Sequence, residues 1–183
     1  MSQFTNQEKE EKLLYLECYS GISGDMTVGA LLDLGASRNV LEETLKSLGV
    51  GGYHLHFGRK LKCGIDAYDF DVHLEEEEHG HGHDHDHDHK HGHDHNHDHT
   101  HSHPHIHRNI QDIFEIIDRM HSEEPVKELA RKMFRIVAEA ESKAHGIPVE
   151  EVHFHEVGAV DSIVDIISVA VCMYDLGIMD VVV

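Results

Sequence analysis

The chain has 183 residues, enough for one well-buried domain and too few for two ordinary ones once unstructured segments are set aside. Fifteen Lys and Arg face 35 Asp and Glu, and the formal net charge of -20 disfavours nucleic acid and anionic membranes as partners. Three dispersed cysteines, with neither a leader nor a long apolar run, predict a soluble cytoplasmic protein without disulfides. The unusual feature is the content of 22 histidines.

The first half of the chain predicts a flexible tail over residues 1–12 and the first part of an α/β domain over residues 13–74. A strand over residues 13–19 leads to a helix whose apolar positions include Met26, Ala30, Leu31 and Leu34, with Gly35 ending it. Ser37 is expected to cap a second helix. Two segments of alternating apolar residues then predict a hairpin with its turn at Cys63 and Gly64.

Residues 75–107 predict a disordered metal-binding loop. Four consecutive Glu lead into a run with His at every odd position, and the run has too little apolar area to offset an ordering cost of about 1–2 kcal/mol per residue. Unprotonated imidazole suits nickel, zinc, copper and cobalt, and the interleaved Asp attract cations. An expression tag is disfavoured because the run is internal and irregular. Such a loop stores, scavenges or relays metal. Its histidines are His79, His81, His83, His85, His87, His89, His91, His93, His95, His97, His99, His101, His103, His105 and His107.

The remainder, residues 108–183, predicts the second part of the domain. Asn109 is expected to cap one helix, and Gly146 to end the next. A strand over residues 152–156, a helix over 161–176 and a last strand over 178–183 follow. The alternation indicates a single α/β domain with a mixed sheet. Because the sequence stops within an apolar β-like run, we expect a truncated or split chain that continues in a C-terminal domain.

A His-x-His-Glu segment carries the second metal signal. On a strand, His153 and His155 project to one face and can share a metal ion, while Glu156 points away or enters the next turn. Asp161 and Asp165, four residues apart on the next helix, would complete an oxygen-rich edge. The alternatives are a solvated pair of histidines and an Asp161 that only caps its helix.

A stretch of small residues lies between the first strand and the first helix. Its small side chains let backbone amides approach an anion at a helix N-terminus, as a phosphate site requires. The stretch matches neither a Walker loop nor a dinucleotide fingerprint, and a plain turn capped by Ser23 or Asp25 is the alternative. The predicted phosphate- or substrate-binding residues are Ser20, Gly21, Ser23, Gly24 and Asp25.

Residues 16–26 (LECYSGISGDM), the His-rich middle and residues 152–166 (VHFHEVGAVDSIVDI) together resemble the LarC family, whose members insert nickel into the pincer cofactor of lactate racemase. The resemblance implies a lyase-class metal chelatase that loads Ni(II) into pyridinium bis-thiocarboxylic acid mononucleotide with hydrolysis of CTP. It also implies that CTP and a divalent metal are bound by a C-terminal part, in the same protein or a separate chain. This chain would then be the nickel-loading and substrate-binding N-terminal part.

In such a reaction, a ring carbon loses a proton as its bond to nickel forms, and a base is needed beside the metal. The base would be His153, His155 or Glu156. The mononucleotide phosphate would meet the amides after Ser20. Both roles rest on residue type.

Two other functions stay open at the level of sequence. One is a nickel store or metallochaperone without catalysis, in which the His-rich loop is the functional part. The other is a metal-dependent hydrolase that uses His153, His155, Asp161 and Asp165 around zinc or manganese. The sequence leaves metal selectivity and assembly undecided, with a homo-oligomer among the options.

Overall fold

The computed structural model describes residues 12–75, 108–154 and 159–183. The predicted His-rich loop beyond Glu75, together with His155 and Glu156, lies outside the described residues. The elements are β1 Lys12–Tyr15, α1 Gly24–Asp33, α2 Arg38–Lys46, β2 Tyr53–Lys62, β3 Ile65–Leu74, β4 Arg108–Asn109, α3 Ile110–Arg119, α4 Glu124–His145, a 3-10 turn Val149–Glu151, β5 His153–Phe154, α5 Val160–Leu176 and β6 Ile178–Val182.

The predicted α/β class is confirmed, while the sheet differs from the single mixed sheet that we expected. Within the described ranges, the strands form three two-stranded sheets. β1 pairs in parallel with β6, so the two ends of the described chain lie side by side. β2 pairs antiparallel with β3, and the short β4 pairs antiparallel with β5.

Several helix ends follow the residues that the sequence marked. The Ser37 hydroxyl accepts a hydrogen bond from the Val40 amide at 3.4 Å at the start of α2. Asn109 and Asp112 form a reciprocal capping box that opens α3. Gly146 ends α4 in the left-handed conformation, which a residue with a side chain rarely adopts.

The core is built around α5, which packs against α1, α2 and α4. One face of α5 is completely buried through Ile163, Val164 and Ile167, and Phe134 of α4 and Leu41 of α2 are completely buried against the same core. Burial of such apolar side chains contributes about 1.5–3 kcal/mol each. Because α5 is central, the residues at its N-terminal end are held in position by several neighbouring elements.

The orientation of α1 differs from the sequence expectation. Met26 and Leu34, which belong to the predicted apolar pattern of this helix, are each 62% exposed, while Val28 and Leu31 are buried. The reason is that α1 packs against both β3 and α5. Gly29 lies so close to β3 that a Cβ there would come within 2.8 Å of the Tyr68 carbonyl oxygen. In the described ranges, none of the helices has the length and apolar character to cross a membrane.

Candidate functional site

The N-terminal ends of α1 and α5 meet at Gly24 and Asp165. A Cβ on Gly24, the first residue of α1, would overlap the side chain of Asp165, so only glycine fits at this position. The backbone N–H of Asp25 donates a hydrogen bond to the Asp165 carboxylate. The structure thus brings together the small-residue motif and the aspartate motif, which are far apart in sequence.

Asp25 and Asp161 occupy equivalent places in their helices, since each is the second residue. Ala159 is the N-cap of α5, so the alternative in which Asp161 caps that helix is wrong. Ser23 occupies the N-cap position of α1, but its side chain accepts no capping hydrogen bond. Its hydroxyl donates instead to the Asp25 carboxylate. The plain capped turn therefore does not account for these side chains.

Buried oxygen atoms without a partner mark this end of α5. Among the described residues, Oδ1 of Asp161, Oδ1 of Asp165 and Oγ of Ser168 are buried and have no hydrogen-bond partner. Their spacing of four and three residues places them on one face of the helix. A buried acceptor without a partner costs about 1–3 kcal/mol, and a bound cation would remove that cost. Carboxylate oxygens are ligands that divalent cations accept, so Asp161 and Asp165 are the residues here that could hold one.

The electrostatics of the site also favour a cation. Burial, together with the negative charges of Asp25, Asp161 and Asp71, raises the pKa of Asp165 to about 6, and the hydrogen bond from the Asp25 amide offsets part of this shift. The positive ends of two helix dipoles offset only part of this negative charge. A bare phosphate would be repelled here, whereas a metal ion would be attracted.

The predicted phosphate loop has fewer available amides than its sequence indicates. The Gly21 N–H donates to the Cys18 carbonyl at 2.9 Å, and the Asp25 N–H is used by Asp165. Ser20 and Gly21 are exposed in the turn before α1. Phosphate binding by this segment stays a prediction, and the site geometry gives a cation the stronger support.

The histidine motif is only partly described. His153 is exposed on β5, opposite Asn109 of β4, whereas the next residue, Phe154, is buried. In the part of the chain that the structure describes, no three His, Cys, Asp or Glu side chains are arranged to hold one metal ion. The metal site that combines His153 and His155 with Asp161 and Asp165 therefore stays a prediction, as do the base role of Glu156 and metal binding by the loop histidines.

Sequence reasoning missed Asp71 and Ser168, which the fold adds to the acidic end of α5. Asp71 lies on β3, and its charge acts on Asp165. A serine within the apolar stretch of a buried helix was the available signal for Ser168. Two cavities, of about 380 and 310 Å³, lie elsewhere, beside α2.

Comparison with known proteins gives a consistent result. The family model for nickel insertion proteins matches residues 14–183. A protein of Alkaliphilus metalliredigens, named pyridinium-3,5-bisthiocarboxylic acid mononucleotide nickel insertion protein, is 57% identical over 92% of this chain and 38% of its own length. Proteins of the same name from Geobacillus kaustophilus and Staphylococcus epidermidis are 48% and 40% identical over 91% of this chain.

The chain spans little more than a third of the length of these relatives, with 36% and 35% of the Geobacillus and Staphylococcus proteins covered. No solved structure matches the chain.

Proposed function

The chain belongs to the nickel insertion protein family, and from this premise we propose that it delivers Ni(II) to, and takes part in its insertion into, pyridinium-3,5-bisthiocarboxylic acid mononucleotide, the precursor of the nickel-pincer cofactor. The observation that carries the proposal is the contact between Gly24 and Asp165, which joins the two motifs into one acidic site. Nickel is the substrate of this reaction.

The carboxylates of Asp161 and Asp165 supply one edge of the nickel site. Each has a buried oxygen without a partner, so a divalent ion gains two anionic ligands without displacing an existing protein hydrogen bond. Further ligands come from His153 and His155, since imidazole binds nickel more strongly than carboxylate alone. The metal reaches this edge from the predicted His-rich loop.

The precursor is anionic through its phosphate and thiocarboxylates, and the acidic site repels it unless nickel is already bound. Nickel bound at Asp161 and Asp165 reverses that repulsion and attracts the thiocarboxylate sulfurs. This order, metal before precursor, follows from the charges of Asp25, Asp71, Asp161 and Asp165. His153, His155 or Glu156 then accepts the proton that the ring carbon loses.

We assign the CTP-dependent step to the rest of the full-length protein, which corresponds to the part of the relatives outside the match with this chain. We therefore expect insertion only when that part is supplied, in the same protein or as a second chain. A nickel store is the second candidate function, and it is favoured by the alternating histidines between residues 79 and 107.

A reconstituted insertion reaction at limiting Ni(II), with CTP and the complementary part of the Alkaliphilus relative, tests the role of the acidic site. Asp161→Asn and Asp25→Asn are expected to lower the insertion rate at least about tenfold, as losses around a metal site typically do. Glu139→Gln, on an exposed position of α4, is the matched control. Wild-type rates in both site variants would reject the acidic site as the place of insertion.

Gly24→Ala tests the contact between the two motifs without changing any charge. A methyl group at this position overlaps the Asp165 side chain, so α1 and α5 must separate. We expect a lower insertion rate together with a loss of about 1–3 kcal/mol in stability. Gly51→Ala is the control, because a Cβ there meets nothing within 4 Å. Equal behaviour of the two variants would contradict the proposed contact.

A further inference from the structure

The outer face of the β2–β3 hairpin carries a cluster of histidines and aspartates. His54 lies directly opposite His73 in the register, and His56 lies opposite Asp71. The next pair on this face is Gly58 with Asp69. Residues directly opposite each other on an antiparallel pair have Cβ atoms about 4.5–5.5 Å apart. Three imidazoles and two carboxylates therefore share one small exposed surface.

The imidazole rings are close enough to share a metal ion. The centroids of the His54 and His73 rings are 5.1 Å apart, and those of His56 and His73 are 6.2 Å apart. Two imidazoles that bind one ion through nitrogens at about 2.0–2.1 Å have their ring centroids roughly 5 Å apart. The His54–His73 pair already has this separation, but the two rings are stacked with 21° between their planes. One ring must therefore turn before a nitrogen atom of each points at the same ion.

Carboxylates accompany two of the three histidines. Oδ2 of Asp71 lies 3.4 Å from Nε2 of His73, and Oδ2 of Asp69 lies 3.6 Å from Nε2 of His56. A carboxylate beside a ligating imidazole orients the ring and raises its basicity. Lys60 is the opposing charge on this face, and its Nζ lies 3.8 Å from the same Asp69 oxygen. The face as a whole stays acidic and rich in imidazole.

The hairpin holds these side chains on a firm base. On its inner face, the Phe57 and Phe70 rings pack edge to face, and Phe70 is buried in the core. Gly58 leaves room for the His56 ring, since a Cβ at Gly58 would lie 2.9 Å from Nε2 of His56. The backbone positions of the three histidines are thereby fixed, while their rings can rotate in solvent.

We propose that His54 and His73 form a two-histidine site for a divalent first-row transition ion such as Ni(II), with His56 as a third ligand after rotation of its ring and water in the other positions. Among the described residues, no three such groups already converge on one point. His56 and one ring of the stacked pair must therefore turn, and the half-exposed side chains of His56 and His73 have room to do so. Metal binding here does not depend on the proposed insertion step, because it rests on the side chains of the hairpin alone.

The test uses the full-length chain in which all fifteen histidines from His79 to His107 are replaced by Ser, so that they do not compete for metal. Ni(II) binding is measured by titration calorimetry in this parent and in the same chain carrying His54→Gln and His73→Gln. We expect the double variant to lose one equivalent of Ni(II), or to bind that equivalent at least about tenfold more weakly. His121→Gln is the control, since His121 is exposed on another surface.

A second measurement locates the site in the parent chain, in which His54 and His73 are intact. Bound Ni(II) is paramagnetic and broadens the NMR signals of the backbone amides near it. Broadening centred on residues 54 and 73 supports the proposal, as does a weakened effect in Gly58→Ala, where the His56 ring is displaced. Unchanged Ni(II) binding in the double variant would overturn it. Broadening confined to residues 153 and 161–165 would do the same.

Discussion

At Asp165, the requirements of stability and of the proposed function conflict. Its carboxylate is partly buried beside Asp25, Asp161 and Asp71, and one of its oxygens has no partner. Such a group is unfavourable for the folded chain when it is charged and alone. A bound cation would make it favourable, which agrees with the proposed role of this site in metal transfer.

The pH dependence of stability reports this conflict. Because the pKa of Asp165 is raised from 3.8 to about 6 in the folded state, the folded chain holds a proton that the unfolded chain releases. The Asp165 carboxyl therefore favours the folded state at low pH. This contribution to the free energy of unfolding is lost as the pH rises from about 4 to 6, and it stays lost above that range. In the metal-free chain, Asp165→Asn is therefore expected to raise the free energy of unfolding at pH 7 by about 1–2 kcal/mol, after allowance for solvent screening.

Urea unfolding of the metal-free wild type and of Asp165→Asn, measured at pH 5 and pH 7, checks this expectation. The gain from the substitution should be smaller at pH 5, where the wild-type carboxyl is largely protonated. Asp180→Asn serves as the control for a change of net charge at an exposed position. A variant less stable than wild type at pH 7, with an unchanged pH dependence, would contradict the cause that we assign.

At the scale of elements, the β2–β3 hairpin was the most predictable part of the fold. Its alternating apolar residues gave the buried face, and the predicted turn at Cys63 and Gly64 is confirmed, with both residues at positive φ (52° and 83°). This is the conformation of a two-residue hairpin turn, for which Asn-Gly is the favoured sequence. Local sequence is enough here because the turn and the strands require the same register.

Substitutions at the two turn residues, Cys63 and Gly64, are expected to change the stability of the hairpin in opposite directions. Cys63→Asn is expected to stabilise the hairpin by up to about 1 kcal/mol, because Asn tolerates the left-handed conformation better than Cys. Gly64→Ala is expected to destabilise it by about 1–2 kcal/mol, the cost of placing a Cβ in that conformation. Thermal unfolding of the two variants gives the comparison. Equal shifts for both would show that backbone conformation at the turn does not limit stability.

Other elements could not be placed from sequence, for reasons that differ. The apolar residues of α1 surround much of the helix, so periodicity did not show that Met26 faces solvent. The sheet pairing of β1 with β6 joins segments at opposite ends of the described chain, and local pattern carries no information on such contacts. The same limit applies to the site: both motifs were visible, but only the packing of α1 on α5 brings Gly24 to Asp165.

At the scale of the whole molecule, we expect the number of Ni(II) ions bound and the transfer of nickel to the precursor to depend on different parts of the chain. Removal of residues 76–107, with a short Gly-Ser linker from Glu75 to Arg108, is expected to abolish most Ni(II) equivalents while the domain stays folded. The reason is that fifteen imidazoles are lost and the buried core is untouched. Equilibrium dialysis at pH 7 and near pH 5 measures the capacity, which should also fall at the lower pH as imidazole becomes protonated. Full capacity after the deletion would place the main metal store elsewhere.

The two-stranded β1–β6 sheet indicates where the rest of a relative's chain would pack. Parallel sheets are usually covered on both faces, yet Leu13 and Met179 are 62% and 70% exposed here. Relatives have well over half of their length outside the match, so polypeptide is available to cover this surface. We expect it to be the main contact with that part of the protein.

The last prediction uses that surface to test assembly. Mixing this chain with the complementary part of the Alkaliphilus relative is expected to give a complex and to restore CTP-dependent insertion, because the 57% identity should preserve most of the contact residues. Met179→Lys should weaken the complex at least about tenfold, since it places a charge in an apolar interface. Ile136→Lys on α4, also an exposed apolar position, is the matched control and should bind normally. Analytical ultracentrifugation measures the complex, and the insertion assay measures its activity. If Met179→Lys assembles as well as Ile136→Lys, the β1–β6 surface is not the contact, whatever the activity of the mixture.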